Sequence, residues 1–387
     1  MVSQITADEL ADRFDAGESM TLIDTRPEDS FEAWHLPEAK NVPFDPREGV
    51  GDDQRDRVDE ITGEKPLVTI CGKGLTSTPF AFELETQGYD DVTVVKGGME
   101  DWSKVYDVVP IATNDGNAEL VVRQIQRRGK GCLGYVVGSS ESGDAAVVDA
   151  TRQIDVFEVA AEEAGLTISC VFDTHIHADH ISGGSRLAEI LDVPYYLGEK
   201  ASERDVEYDY DSLEDGDIIE LGDVEITALH APGHTTEMMN YRIDSDGGDY
   251  LLTGDTLFVD SVGRTELQFG ENDASEGAEL LYETLHETIL DLPDDTRILP
   301  GHVSVTSDGR YEGGEPGKPI QARLADLRDT LDLLQLDEES FVNRLAENAP
   351  EKPPNYETVI AINTGEDSPD SDEEATELEV GPNNCAA

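Results

Sequence analysis

At 387 residues the chain is long for one domain, and two are expected, each large enough to bury a core of its own. A net charge of −59, from 27 basic and 86 acidic residues spread along the whole chain, excludes nucleic acid and anionic membrane surfaces as partners. No apolar run approaches the ~18 residues that would span a bilayer, the start lacks the basic and apolar regions of a signal peptide, and four cysteines without paired spacing exclude a disulfide framework, so a soluble cytoplasmic protein is expected. Clear apolar strand and helix patterns exclude disorder as the source of the acidity over most of the chain. Adaptation to a halophilic cytoplasm is expected instead, because at multimolar salt the Debye length falls to ~3 Å or less and self-repulsion is screened.

In the first segment Thr6 and Glu9 form a capping box for a helix beginning at Ala7. Thr21–Asp24, Pro66–Cys71 and Val92–Lys96 read as strands, with a helix from Thr76 to Gln87 between the last two. Strands alternating with helices predict a small parallel α/β domain. The chemistry-bearing stretch is Cys71-Gly-Lys-Gly-Leu-Thr76: a cysteine at the carboxyl end of a buried strand, a loop that two glycines let curl, and a helix directly after. Loop amides and a helix N-terminus favour an anion, and Lys73 adds positive charge, so Cys71 is either an activated thiolate or a buried, inert thiol beside a glycine-rich turn.

Asp24-Thr-Arg26, Trp34-His-Leu-Pro37 with Asn41-Val-Pro43, the Cys71 loop, and Lys96-Gly-Gly98 with Trp102 together resemble a rhodanese domain over residues 3 to 110. The resemblance implies sulfur transfer through a persulfide on Cys71, with Lys73 and Thr76 in the substrate-binding loop, and a loop length suited to sulfur-sized substrates. Gly72 and Thr76 stand where the family commonly has arginines. Asp24 and Arg26 are read as bracing the fold, and His35 as structural.

Three strands, Leu120–Ile125, Cys132–Gly138 and Ala145–Asp149, follow as a meander, with Cys132 read as packing; a helix then runs from Ile154 to Ala164. The apolar run Ile168–Asp173 reads as a strand that ends in Thr-His-Ile-His-Ala-Asp-His180. Three imidazoles and a carboxylate (His175, His177, Asp179, His180) fall within six residues of a chain holding eight histidines, which points to a divalent metal such as zinc or iron. The pattern recurs. Strands ending near His230, Thr253 and Leu299 lead to His234, Asp255 and His302, and side chains delivered from several strand ends can build one rigid metal site. His230 and His286 lack such company and are read as structural and as surface.

This ligand set resembles the metallo-β-lactamase superfamily, an αββα sandwich, over residues 118 to 310. Two branches are implied. Persulfide dioxygenases hold one Fe(II) per chain, carried over as His175, His234 and Asp255, a facial triad with open positions. Glyoxalase II-like hydrolases hold two Zn(II): one on His175, His177 and His234, the other on Asp179, His180 and His302, with Asp255 bridging. Val262-Gly-Arg-Thr-Glu-Leu-Gln268 is similar to a segment of the dioxygenases, with Glu266 and Leu267 in place of Asp and Phe. Arg264 is then a candidate to pair with a substrate carboxylate or to steady the iron's surroundings.

Pro319–Gln335 and Glu338–Asn348 read as helices, Thr358–Asn363 as extended, and 364–387 as an acidic, mobile tail bearing Cys385 as an idle or reaching thiol. Lys352-Pro-Pro-Asn-Tyr356 is similar to a stretch that closes the dioxygenases, with Asn355 and Tyr356 read as packing. The expected organisation is therefore a parallel α/β domain at 1–112, a linker at 113–118, and an αββα domain at 119–363. The expected function is oxidation of a low-molecular-weight thiol persulfide by O2 to sulfite and thiol, with Cys71 loading or unloading sulfane sulfur and so linking persulfide to thiosulfate. The alternatives are a dizinc thioester hydrolase of hydroxyacylglutathione type, and a non-catalytic sulfur carrier. A homodimer is compatible with the sequence.

Overall fold

A computed structural model describes residues 2–63, 65–113, 119–245, 248–269, 274–347, 352–383 and 386. The expected linker, apart from Thr113, and Cys385 lie outside the described residues.

The chain opens with the expected cap: the Thr6 hydroxyl accepts from the Glu9 amide and the Glu9 carboxylate accepts from the Thr6 amide, which starts the helix Ala7–Asp15. Five parallel strands form the first sheet, in the order Ser3–Ile5, Val92–Val95, Leu67–Ile70, Thr21–Asp24, Lys40–Asn41. Leu67–Ile70 is the central strand and is buried along its whole length, so Cys71 emerges at its carboxyl end in the middle of the sheet edge. Gly98, at φ 64°, crosses this edge so closely that a Cβ would stand 2.1 Å from the Cys71 carbonyl oxygen. Met99 and Glu100 then donate their amides to the Cys71 and Gly72 carbonyls. Asp24 grips the Arg26 guanidinium, which also donates to the Trp34 carbonyl, so this pair braces the fold.

The second part is two sheets face to face between helices. The seven-stranded sheet runs Asp211–Leu213, Tyr195–Gly198, Thr167–Phe172, Asp144–Val148, Leu133–Ser139, Leu120–Arg127, Tyr106–Ile111; the six-stranded sheet runs Ile218–Leu221, Val224–His230, Met239–Ser245, Gly248–Gly254, Arg297–Pro300, Ala322–Arg323. Alternation along each strand divides the residues between layers. Leu133, Tyr135 and Val137 join the core between the sheets, while Val136 turns to the outer core under the helices Ile154–Glu163 and Gly184–Leu191. Tyr250 and Leu252 face the inner core, and Leu251 faces the helices Ala274–Glu283, Leu324–Thr330 and Glu338–Glu347. Gly134 lets the helix Ile154–Glu163 lie close, since a Cβ there would meet Phe157 at 2.7 Å.

Three expectations change. Tyr106–Ile111, placed in the first domain by the boundary at 112, pairs antiparallel with Leu120–Arg127 and is the edge of the second domain's sheet. Thr358–Asn363 is not extended but lies in the helix Tyr356–Thr364, whose β-branched residues are held by packing of Val359 and burial of Asn363. The acidic tail is not a mobile appendage over its described part. Asp372–Leu378 is a helix capped by the Ser371 hydroxyl, and Glu379 behind it is fully buried. The cause is charge: Arg127 is buried and Arg152 partly so, and the Glu379 carboxylate is their counter-ion, at 3.2 and 2.7 Å. Asn355, expected to pack, donates to the Leu378 carbonyl. Among the described residues no helix is long and apolar enough to cross a membrane.

Candidate metal centre and cysteine loop

The strand Thr167–Phe172 delivers Asp173 and Thr174 to the sandwich edge, and His175, His177, Asp179 and His180 follow in a buried loop. His234 comes from beyond Val224–His230, Asp255 directly after Gly248–Gly254, and His302 two residues after Arg297–Pro300. All seven are at most 2% exposed. The structure sorts them into groups. The ligand atoms of His175, His234 and Asp255 lie within 4.8 Å of one another; so do those of Cys132, Asp179, His180 and His302, and those of Asp149, Asp173 and His177.

The first group has the chemistry of a metal site. Thr174 gives its single hydroxyl proton to Asp149, so toward His175 Nδ1, 3.0 Å away, it acts as acceptor. His234 Nδ1 lies 2.7 Å from the Arg264 carbonyl, which can only accept. Both imidazoles therefore keep an Nε2 lone pair, and these atoms lie 3.9 and 3.6 Å from Asp255 Oδ2. That oxygen is buried with no hydrogen-bond partner. Ligand atoms around a divalent ion with bonds of ~2.1 Å stand roughly 3.0–3.5 Å apart, so the three residues fit an ion with little closure. Burial and the neighbouring imidazoles hold His175 well below the usual histidine range; burial pushes Asp255 up, but the His302 charge and hydrogen bond carry it below the usual carboxylate range. Both shifts favour the ligating forms.

His302 spans the first two groups, with Nδ1 2.6 Å from Asp255 Oδ1 and Nε2 3.1 Å from Asp179 Oδ2. His180 Nδ1 lies 3.0 Å from Asp179. His177 is drawn elsewhere: its Nε2 lies 3.3 Å from Asp149 and 3.9 Å from Asp173. Arg264 has a buried guanidinium bonded to Glu266, which places it as a brace and its carbonyl as the partner of His234.

Four groups were missed in the sequence. Cys132, read as packing, has its sulfur 3.5 Å from Asp179 Oδ2. Asp149, in a left-handed conformation at φ 53°, organises Thr174 and faces His177; a carboxylate at a strand end was the available signal. Asn363 donates to the carbonyls of His177 and His180 and accepts from the Ser182 amide. Glu379 accepts from the Ile181 amide at 2.8 Å.

In the other domain Cys71 is 2% exposed, with the Ser77 hydroxyl 3.4 Å from its sulfur. Burial pushes the thiol up, and hydrogen bonds from the hydroxyls and amides of Ser77 and Thr76 outweigh it, leaving the pKa below that of an ordinary cysteine. Thr76 also shares a hydrogen bond with Thr25. Lys73 does not stand open to an anion: its ammonium bonds Glu373 and Glu377 of the C-terminal helix.

Comparison with known proteins agrees with both halves. Residues 6–105 match the rhodanese-like domain, and residues 127–302 the metallo-beta-lactamase superfamily. The chain is 31% identical over 188 residues to the mitochondrial persulfide dioxygenase ETHE1 of Bos taurus, covering 48% of this chain and 69% of that one. It is 30% identical over 198 residues to a hydroxyacylglutathione hydrolase of Maricaulis maris, covering 50% and 70%. The crystal structure of ETHE1 from Myxococcus xanthus superposes with a TM-score of 0.54 at 25% identity, over 63% of this chain and 97% of that one.

Proposed function

This chain belongs to the metallo-beta-lactamase superfamily, with a rhodanese-like domain joined ahead of that fold, and from that premise we propose a persulfide dioxygenase coupled to a sulfurtransferase. The reaction is R–S–SH + O2 + H2O → R–SH + H2SO3, with sulfane sulfur loaded or unloaded at Cys71. The observation that carries this reading is the convergence of His175, His234 and Asp255 while His177 turns to Asp149 and Asp173. Two histidines and one carboxylate with open positions are the donor set of an iron(II) oxygenase.

His175, His234 and Asp255 would hold iron(II), which would supply the redox chemistry that joins a sulfur anion to O2. The protein's own part is orientation. Asp149 and Thr174 fix the His175 ring, the Arg264 carbonyl fixes His234, and His302 holds the Asp255 oxygen that does not face the two imidazoles. Asn363 and Glu379 clamp the loop between His177 and Ser182. In the first domain Ser77 and Thr76 stabilise the Cys71 thiolate.

A second reading has its own observation. Asp179, His180 and His302 converge with Cys132, which favours a second ion and a dizinc thioester hydrolase. Metal analysis of protein purified without oxygen, followed by oxygen-uptake and acyl-thiol hydrolysis assays, decides between them. One iron per chain and persulfide-dependent oxygen uptake support the dioxygenase. Two zincs and hydrolysis, with loss of one zinc in His180→Ala, sink it. A Cys71 persulfide without any metal-dependent turnover leaves only a sulfur carrier.

A further inference from the structure

The loop Cys71–Thr76 has one cation, Lys73, and no other charged residue. In the folded chain that cation is already engaged. Its Nζ lies 2.7 Å from Glu373, 2.6 Å from Glu377 and 3.6 Å from Glu100, so one positive charge meets three negative ones. Lys104 is likewise met by Glu100 at 4.0 Å and Asp372 at 3.7 Å. The helix that carries Glu373 and Glu377 is seated firmly. Ser371 caps its start, Arg152 bonds Asp372 and Thr376, and buried Glu379 anchors its end on Arg127 and Arg152. A segment some 300 residues along the chain thus forms a wall beside the cysteine loop.

We propose that Glu373 and Glu377 determine which sulfur donors the Cys71 site accepts, disfavouring the thiosulfate dianion and favouring low-molecular-weight thiol persulfides, whose reacting end carries one negative charge at most and none in the protonated form that reacts. This rests on the reading of Cys71 as the sulfur-transfer nucleophile. With a persulfide, the Cys71 thiolate attacks the outer sulfur of R–S–SH, the S–S bond of the donor breaks, and the products are Cys71–S–SH and R–S⁻. One negative charge enters and one leaves. With thiosulfate, the thiolate attacks the outer sulfur of S–SO3²⁻ and sulfite leaves with both charges, so a monoanion and a dianion must first meet. A free cation at the loop would ease that encounter, and here the donor must compete for it with Glu373, Glu377 and Glu100. The donor class this wall favours is also the substrate class proposed for the metal centre.

The test uses the full-length, metal-loaded protein. Loading of Cys71 is followed by quenched-flow intact mass spectrometry with thiosulfate or cysteine persulfide as donor, in the wild type and in the double variant Glu373→Gln, Glu377→Gln. Both glutamates are more than half exposed, so the double variant folds with the site intact. The ratio of the thiosulfate rate to the persulfide rate should rise roughly tenfold in the variant at low salt, the scale of two exposed ion pairs. At 1 M KCl, where the Debye length is ~3 Å, the difference should narrow but persist, because the Lys73 pairs at 2.7 and 2.6 Å lie inside that length. An unchanged or lower ratio overturns the proposal, the lower one showing that the glutamates hold Lys73 in a productive position. If the wild type takes up no sulfur at Cys71 from either donor, or if Cys71→Ser takes up as much, the sulfurtransferase reading itself fails.

Discussion

Truncating Glu379 to alanine tests the seating of the C-terminal segment directly. The carboxylate is fully buried, accepts the Ile181 amide through one oxygen, and meets Arg152 and Arg127 through the other. The Arg127 side chain is 1% exposed, and its Nε donates to the Ser103 carbonyl at 2.8 Å. Removing the carboxylate leaves a buried guanidinium without its counter-ion and an amide without its acceptor. Breaking a buried pair from one side costs about 3–5 kcal/mol. At an m-value of ~2–3 kcal/mol/M, a loss of ~4 kcal/mol lowers the urea midpoint by roughly 1.3–2 M. Far-UV circular dichroism is the suitable probe, because both tryptophans, Trp34 and Trp102, lie in the first domain. Replacing Arg127 by Met together with Glu379 by Leu should recover most of the loss, since a packed apolar pair can substitute for a buried ionic one. A shift of less than about 0.3 M for Glu379→Ala, the scale of an ordinary surface change, refutes the buried ion pair and returns this segment to solvent.

Other consequences are as accessible. Because the Cys71 pKa is lowered, its thiolate persists to lower pH, and alkylation read on the Cys71 peptide should have a midpoint below the ~8.5 of a free cysteine. Ser77→Ala should move that midpoint upward, and a wild-type midpoint of 9 or more contradicts the geometry. Gly98→Ala forces a Cβ against the Cys71 carbonyl from a left-handed backbone, so sulfur transfer should fall by roughly tenfold or more while metal content stays unchanged. Equal activity in this variant would mean that the loop is not held as described. Asn363→Ala removes the clamp on the His177 and His180 carbonyls, and chelator competition should show metal affinity reduced by about 10- to 100-fold; an unaltered affinity rules out the clamp.

The legibility of the sequence followed the range of the interactions involved. The strand ends bearing His175, His234, Asp255 and His302 were readable because a short apolar run, a turn residue and a ligand recur together, all within a few residues. The cysteine loop was readable for the same reason. Asn363 was hidden by local propensity, since Thr358, Val359, Ile360 and Ile362 favour strands and only packing holds them in a helix. Glu379 was hidden by composition. A run of acidic residues reads as solvated chain unless the buried Arg127 and the partly buried Arg152, more than 220 residues earlier, are known to need a counter-ion. Cys132 illustrates the same limit, for nothing near it in sequence announces Asp179 or His302. Tyr106–Ile111 fell on the wrong side of the boundary at 112 because nothing local in the sequence names the strand it pairs with.

The clamp on the metal loop also bears on the order in which the protein matures on the ribosome. Every proposed metal ligand has been made once His302 emerges, yet the side chains that lock the loop, Asn363 and Glu379, come later. At ~5–20 residues per second, the stretch from His302 to Glu379 takes roughly 4–15 s to synthesise. During that interval the imidazoles and carboxylates stand together without the C-terminal helices fastened over them. The loop can therefore be fastened only after all of its proposed ligands exist, by side chains that the helix Tyr356–Thr364 and the residue behind the helix Asp372–Leu378 supply.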